Sequence, residues 1–431
     1  MCSSDLPLNQ LAASEIVSAI AAKQTTAEAV ARACLDHINA REPQVEAWIY
    51  LDPDLVIKQA RALDASGKVG PMQGVPVGMK DIIDTADMPT EMGTPIHKGR
   101  RPSLDAACVA LTRRAGGLIM GKTVTTEFAN RHPGKTHHPM DHARTPGGSS
   151  SGSAAAVGDA MVPLALGSQT TGSTIRPAAY CGCVGYRPTY GDIRCAGVME
   201  ASGSVDTLGI IARSVEDVAL YRDVLVGIPP QPLSPHVMPA PRIGFCRTPF
   251  WYQCEPGTQK SLEDCADALA KAGAKVTDVT LPDAFKGVEE AHQWVTSFEF
   301  ARNRAWEINT HYEMISETLR NNRLKHGLAC SFDTYRDARA TLARVRRSLH
   351  DVMQDYDVLL VPAADGEAPV GLNATGNANH CLIWTSTHVP CMTLPLFKGP
   401  HGLPVGAQLI ASRNNDRLLF EVARWVVAHY K

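Results

Sequence analysis

Hydrophobic and polar positions along the chain change period several times, and each change predicts an element. The opening stretch runs on a helical period. LNQLAASEIVSAIAAKQ and TTAEAVARACLDHINARE read as two amphipathic helices, the second opened by Thr25 with Glu28 in capping-box spacing. From Gly74 the texture changes: GVPVGMKDIIDT reads as a strand, DAACVALTRRAGG as a helix ended by glycine, and LIMGKTVTT as the next strand. TPGGSSSGSAAAVGDAM, residues 145 to 161, is a glycine-serine loop running into a small-residue helix. Farther on, RIGFC predicts a strand, PGTQKSLEDCADALAKAG a helix, and residues 284 to 355 are mostly helical by period. DVLLVPAA and PCMTLPL return to buried-strand texture before a last helix in DRLLFEVARWVVAHY. Alternation of this kind predicts an α/β fold with a covered sheet. From Ile228, IPPQPLSPHVMPAP carries six prolines, which fix φ and remove donors, so it predicts an extended surface connection.

Composition narrows the partners more than it narrows the fold. The chain has 431 residues, 44% hydrophobic and 20% charged, enough to bury a large core. A net charge of -2 leaves no electrostatic footprint for nucleic acid or an acidic membrane surface, so small molecules or other subunits are the expected partners. No apolar run approaches the roughly 18 residues of a membrane span. Twelve cysteines without a C-x-x-C pair, and a start lacking a basic and then apolar leader, predict reduced thiols and a cytoplasmic location.

Candidate chemistry begins with two patterns that fail on context. Gly116, Gly121, Lys122 and Thr123 match a phosphate-loop pattern, but the glycines end a helix and Leu118 to Met120 begin a strand, the reverse of what phosphate binding requires. His132, His137, His138 and His142 lie close together, yet on a loop-like stretch broken by Pro133 and Pro139; solvated loop histidines are expected and no metal. The N-x-T triplet at Asn373 carries no meaning in a cytoplasmic chain. What remains is serine-rich. GSQTTGSTIRPAAYCG, residues 167 to 182, follows the first glycine-serine loop, and neither holds a G-x-S-x-G elbow. A serine nucleophile then needs another base, and a lysine held neutral can serve. Lys80, after Gly78 and Met79 and before Ile82 and Ile83, fits if a strand buries it. The alternative is a strand-end lysine that reaches solvent or pairs with Asp81.

Taken together, these residues resemble the amidase signature family. Gly147, Gly148, Ser149, Ser150, Gly152 and Ser153 match its GGSS-x-GS segment, and Gly172, Ser173, Pro177, Ala178 and Gly182 its nucleophile motif and following turn. GVPVGMKD, LIMGKTVTTEFA, VGYRPTYG, SVDTLGIIARSVEDVAL and GLPVGAQLI look like family segments in family order. The resemblance implies a large mixed twisted β-sheet covered by helices on both faces. It implies one domain over 1–431, with a helical entry at 1–70, a catalytic core at 71–225, a variable and mostly helical substrate-side region at 243–380, and a return to the core at 381–431.

The same resemblance implies a serine hydrolase of amides working through a Ser–cisSer–Lys triad and an acyl-enzyme. Ser173 matches the nucleophile, Ser149 the bridging serine after a cis peptide at Gly148, and Lys80 the base. The backbone amides of Thr170, Thr171, Gly172 and Ser173 would form the oxyanion hole. No metal or organic cofactor is implied. Gln169, Thr171 and Arg176, placed three residues after the nucleophile, depart from the commoner pattern and look like a malonamidase-like or urethanase-like branch. There Arg176 is expected either to bind a substrate carboxylate or to tie the turn to a neighbouring carboxylate. Ser151 stands where glycine is usual. Carbamates and esters are adjacent substrates; the family also includes amidotransferase subunits acting with a partner on charged tRNA, a reading the departures and the short chain disfavour. Trp294, Phe298, Phe300, Trp306 and Tyr312 lie in the variable region; if they face the acyl site, aryl or apolar amides and carbamates are expected. A homodimer is compatible with the resemblance.

Overall fold

The computed structural model describes residues 6–233 and 238–430, so residues 234–237 of the proline-rich connection, and Cys2, lie outside the described residues. Its centre is one mixed sheet of eleven strands. In chain order these are β1 (Trp48–Leu51), β2 (Pro76–Lys80), β3 (Leu118–Thr123), β4 (Leu164–Gln169), β5 (Val184–Arg187), β6 (Thr207–Ala212), β7 (Arg242–Cys246), β8 (Lys275–Val279), β9 (Val358–Pro362), β10 (Cys391–Lys398) and β11 (Pro404–Ala411). They lie in the order β1-β3-β2-β4-β6-β5-β10-β11-β9-β7-β8. Parallel pairing joins β2 to β3 and β4, and β7 to β8 and β9, while the remaining pairs are antiparallel.

Every position of β2, β3, β4, β6 and β9 is buried, not merely alternate ones. A strand buried on both sides needs cover on both faces, which the helices supply. The expected strands near Gly74, Leu118, Arg242, Asp357 and Pro390 are all present, as are the helices Ala107–Arg114, Pro256–Lys271 and Asp416–His429. The periodicity did not announce β1, β4, β5, β6, β8 or β11, of which β4, β5 and β6 carry a glycine within a short run.

The N-terminal helices depart from expectation in detail. A short 3₁₀ turn, Leu8–Gln10, precedes the helix Ala13–Ala21, and the next helix runs Ala27–Val45. Its cap is Thr26, not Thr25: the Thr26 side chain accepts from the Ala29 amide at 3.1 Å. Glu28 does not fold back as a capping-box partner because it holds Arg32 and Arg61, while Asp64 accepts from the Ala27 and Glu28 amides instead.

What the fold does for function follows from β2 and β4. They are parallel neighbours with Met79 opposite Leu166, so Lys80 at the end of β2 lies level with the end of β4, where Ser168 and Gln169 stand. Ligands of open α/β sheets collect at such carboxyl ends. The helix Ser151–Gly158 crosses both strands, and its small residues set the distance. A Cβ at Gly152 would meet Ala47 O at 2.2 Å and Val124 N at 2.4 Å; one at Gly167 would meet Ser150 Oγ at 2.6 Å. Gly152→Ala should therefore cost about 1–3 kcal/mol through overpacking against backbone, read from urea unfolding.

Candidate active site

Lys80 is fully buried, and its surroundings are hydroxyls. Nζ lies 2.6 Å from Ser149 Oγ, 2.8 Å from Ser168 Oγ and 3.2 Å from Ser150 Oγ. Burial brings its pKa down to about 7, opposed only by the charge of Asp206. A second buried lysine shows the contrast. Lys122, from the dismissed phosphate-loop pattern, ends within 3.1 Å of Asp81 and donates to Thr90 Oγ1 and Pro89 O. Asp81 is thus taken by Lys122 and not by Lys80, which does not reach solvent and has no carboxylate in contact among the described residues.

Ser149 follows Gly148 through a cis peptide. The next residues begin the helix Ser151–Gly158, and Ser151 Oγ donates to Val124 O. Ser173 sits across from them, where the Ser150 amide donates to Ser173 O at 3.2 Å. Ser149 and Ser173 line one cavity of about 460 Å³ together with Thr170, Thr171, Gly172 and Arg176. The first leg of a proton relay, Lys80 to Ser149, is closed. Among the described residues no hydrogen bond joins Ser149 to Ser173, a leg of the kind that tightens when substrate fills the site.

The loop between β4 and the helix Ile175–Tyr180 is held from several sides. Gln169 Oε1 accepts from the Thr174 and Ile175 amides, capping that short helix, and its Nε2 donates to Thr385 Oγ1. Thr385 in turn donates to Thr171 O at 2.7 Å. The Thr171 hydroxyl pairs with His292 Nε2 at 2.9 Å, and the Thr170 hydroxyl donates to Asp206 at 2.6 Å. These contacts leave the four backbone amides of residues 170–173 without a hydrogen-bond acceptor among the described residues. Free N–H groups converging beside a serine can stabilise a developing oxyanion.

Arg176 corrects one expectation. Its guanidinium meets no carboxylate among the described residues: Nη2 donates to Gly148 O at 2.6 Å and Thr375 Oγ1 at 3.1 Å, and Nη1 to Gly376 O at 3.1 Å. It ties the turn to carbonyls, one of them adjacent to Ser149. Only its Nε stays without a partner among the described residues.

A buried lysine against a serine that follows a cis peptide, beside a second serine and free amides, is thus what this end of the sheet presents. The sequence profile of the amidase family matches residues 29–420. The chain belongs to the amidase family. It is 36% identical to the A-type subunit of glutamyl-tRNA(Gln) amidotransferase from Acidothermus cellulolyticus, over 97% of this chain and 94% of that protein. A crystal structure of an amidase superposes with a TM-score of 0.90 at 28% identity, covering 98% of this chain and 100% of that one. The native peptide amidase from Stenotrophomonas maltophilia superposes at 0.84 with 27% identity over 98% of each. This amidase thus carries the family's large helix-covered sheet and its amide-cleaving chemistry.

Other expectations are revised. The variable region does line the cavity, but through Glu289, His292, Gln293, Thr296, Asn322 and Arg323 among others, not through the aromatic residues. Phe298 stacks on Tyr335 and Phe300 is buried in the core, because their helix face packs inward on other elements, while Trp306 stacks on His97 and stays half-exposed. His138 is no solvated histidine: it is buried, its Nε2 against Tyr180 O at 2.8 Å and its Nδ1 accepting from the Met140 and Asp141 amides. Ser168, Asp206, His292 and Arg323 carry no site signal in the sequence, and Gln169 only that of a departure from the family pattern. A larger cavity of about 710 Å³, lined by Val184, Leu394, Trp425 and others, contains none of the residues above. No described helix is long and apolar enough to cross a membrane.

The two buried lysines make a stability test. Lys122→Met strands a buried Asp81 carboxylate and should cost about 3–5 kcal/mol in urea unfolding at pH 7. Lys80→Met, which strands no carboxylate but leaves three buried hydroxyls a partner short, should cost less, about 1–2 kcal/mol.

Proposed function

We propose that this amidase is a free-standing hydrolase that cleaves the carbon–nitrogen bond of a small amide through Lys80, Ser149 and Ser173. The observation that carries the reading is the 2.6 Å contact between a fully buried Lys80 amine and the Ser149 hydroxyl. With Lys80 neutral, the Ser149 O–H donates to its lone pair, and Ser149 in turn accepts the proton of Ser173 as Ser173 Oγ attacks the carbonyl carbon. The oxyanion gathers on the amides of Thr170 to Ser173. As the carbon–nitrogen bond breaks, the proton returns from Lys80 through Ser149 to the departing nitrogen, leaving an ester on Ser173. Water, activated along the same relay, releases the acid and restores the serine. Carbamates and esters offer the same carbonyl and belong to the same test.

The cavity's charge supports a narrower substrate class. Arg131, Arg176 and Arg323 line it against one carboxylate, Glu289. Arg323 stands on a π-helical turn, Arg320–Leu324, and its buried Nη1 donates to nothing among the described residues. Burial first, and then the nearby Arg131 charge, lower its pKa to about 10. Two guanidiniums crowded without a carboxylate partner among the described residues favour a substrate bearing an acid group. Arg323, with Arg131 at the mouth, suits that role better than Arg176, whose donors are mostly used.

A second reading is favoured by the relatives, several of which are named as the A-type subunit of glutamyl-tRNA(Gln) amidotransferase. In it the chain would act with a partner protein. Turnover of simple amides by the purified chain alone separates the two, and no turnover in the absence of a partner would favour the second.

Assays should pair succinamate with succinamide and add benzamide, ethyl carbamate and ethyl acetate. Ser173→Ala is expected to abolish turnover, and wild-type kcat/KM to rise with pH through about 7 as Lys80 loses its proton. The sign follows from a base that works uncharged; a flat profile between about pH 6 and 9 removes Lys80 as the base. Arg323→Ala should lower kcat/KM on succinamate by about tenfold to a hundredfold while succinamide changes little, and equal losses on both would remove the acid-group preference.

A further inference from the structure

Thr170 belongs to two cavities. It lines the main one with Ser149 and Ser173, and also a second one of about 210 Å³ that holds Ser168, Tyr190, Cys195, Glu200 and Asp206. Its hydroxyl is tied to Asp206, the residue before β6, where Gln169 pairs with Thr207. Asp206 is itself fixed: one carboxylate oxygen accepts from Thr170, the other from the Ala201 and Ser202 amides, each at 2.7 Å. Ser168, at the same wall, reaches Lys80 Nζ at 2.8 Å.

We propose that Asp206 is a positioning residue of the reaction, fixing the oxyanion loop through Thr170 and supplying negative charge to the otherwise uncharged surroundings of Lys80. The first effect rests on the Thr170–Asp206 hydrogen bond, the second on the cavity that Asp206 shares with Ser168, whose hydroxyl reaches Lys80. Lys80 is faced by the hydroxyls of Ser149, Ser150 and Ser168, and Asp206 is the charge that acts on it. Asp206 in turn feels Glu200, and its own charge reaches Arg187, Arg304 and Arg323 as well as Tyr190 and Cys195. Burial pushes its carboxyl up to about 6, against the hydrogen bonds from Thr170, Ser202 and Ala201. It is thus ionised across the range above that value in which Lys80 gives up its proton. Because the carboxylate favours the charged amine, removing it makes Lys80 lose its proton at lower pH.

The inference rests on Lys80 being the base, and two variants separate its parts. Asp206→Asn can keep the geometry: the amide oxygen still accepts from Ala201 and Ser202, and Nδ2 donates to Thr170 Oγ1, so mainly the charge is lost. Its kcat/KM limb, measured on the panel amide that wild type cleaves fastest, should move about one unit toward acid. Thr170→Val keeps the charge and breaks the tie. It should lose about tenfold in kcat with KM and the limb unmoved. Coincident limbs for wild type and Asp206→Asn, or wild-type kcat in Thr170→Val, overturn the proposal while leaving Lys80 as the base. A wild-type profile with no rise overturns both. Should Asp206→Asn fail to fold, Asp206→Glu retains the charge and should keep the limb in place with kcat reduced; a displaced limb there overturns the assignment.

Discussion

The site depends on one contact: an amine withdrawn from water and offered hydroxyls instead of a carboxylate. Burial alone makes a lysine unwilling to stay charged, and a neighbouring carboxylate opposes that preference. Lys122, on the adjacent strand β3, has such a carboxylate in Asp81 at 3.1 Å, although burial still lowers its pKa. Lys80 meets Ser149, Ser150 and Ser168 and is left poised near neutrality. Its readiness to lose a proton is therefore a property of what the sheet keeps away from it as much as of what it touches.

Keeping water away requires close approach, and close approach requires small residues. The helix Ser151–Gly158 lies on β2, β3 and β4 because Gly152 and its serine and alanine neighbours present almost no bulk. The free amides of residues 170–173 are a second product of the same economy of side chains. They stay open because Gln169, Asp206, His292 and Thr385 hold the loop by its hydroxyls, a carbonyl and the following helix, and not by its N–H groups. His292 can do so without adding charge, since burial lowers its pKa to about 3.

How much of this was legible in the chain divides along the range of the interactions. Lys80 was readable because its own neighbours, Gly78 and Met79 before it and Ile82 and Ile83 after it, predict burial. The serine segments were readable because their glycines and serines are contiguous. The α/β alternation was readable wherever apolar runs were long. Asp206, His292 and Thr385 were not, because each meets the loop from a different element, 36, 121 and 214 residues away, and no local period encodes that meeting. The aromatic residues of the variable region misdirect for a related reason: period tells which side of a helix is apolar, not which neighbour that side will meet. His138 looked like a solvated loop residue because its partner, the Tyr180 carbonyl, is 42 positions on.

Arg176 has a consequence for how such a protein diversifies. One guanidinium fastens the carbonyl before Ser149 to Gly376 and Thr375, which stand about two hundred residues later in the chain. Its acceptors there are a backbone carbonyl and a single hydroxyl, so the clasp asks little of the identity of the segment it grips. A lineage can rebuild the intervening helices, lengthen them or repaint their cavity face, and the serine-rich loop keeps its anchorage so long as a carbonyl arrives at the same spot. Innovation in what is cleaved is thereby uncoupled from the apparatus that cleaves it.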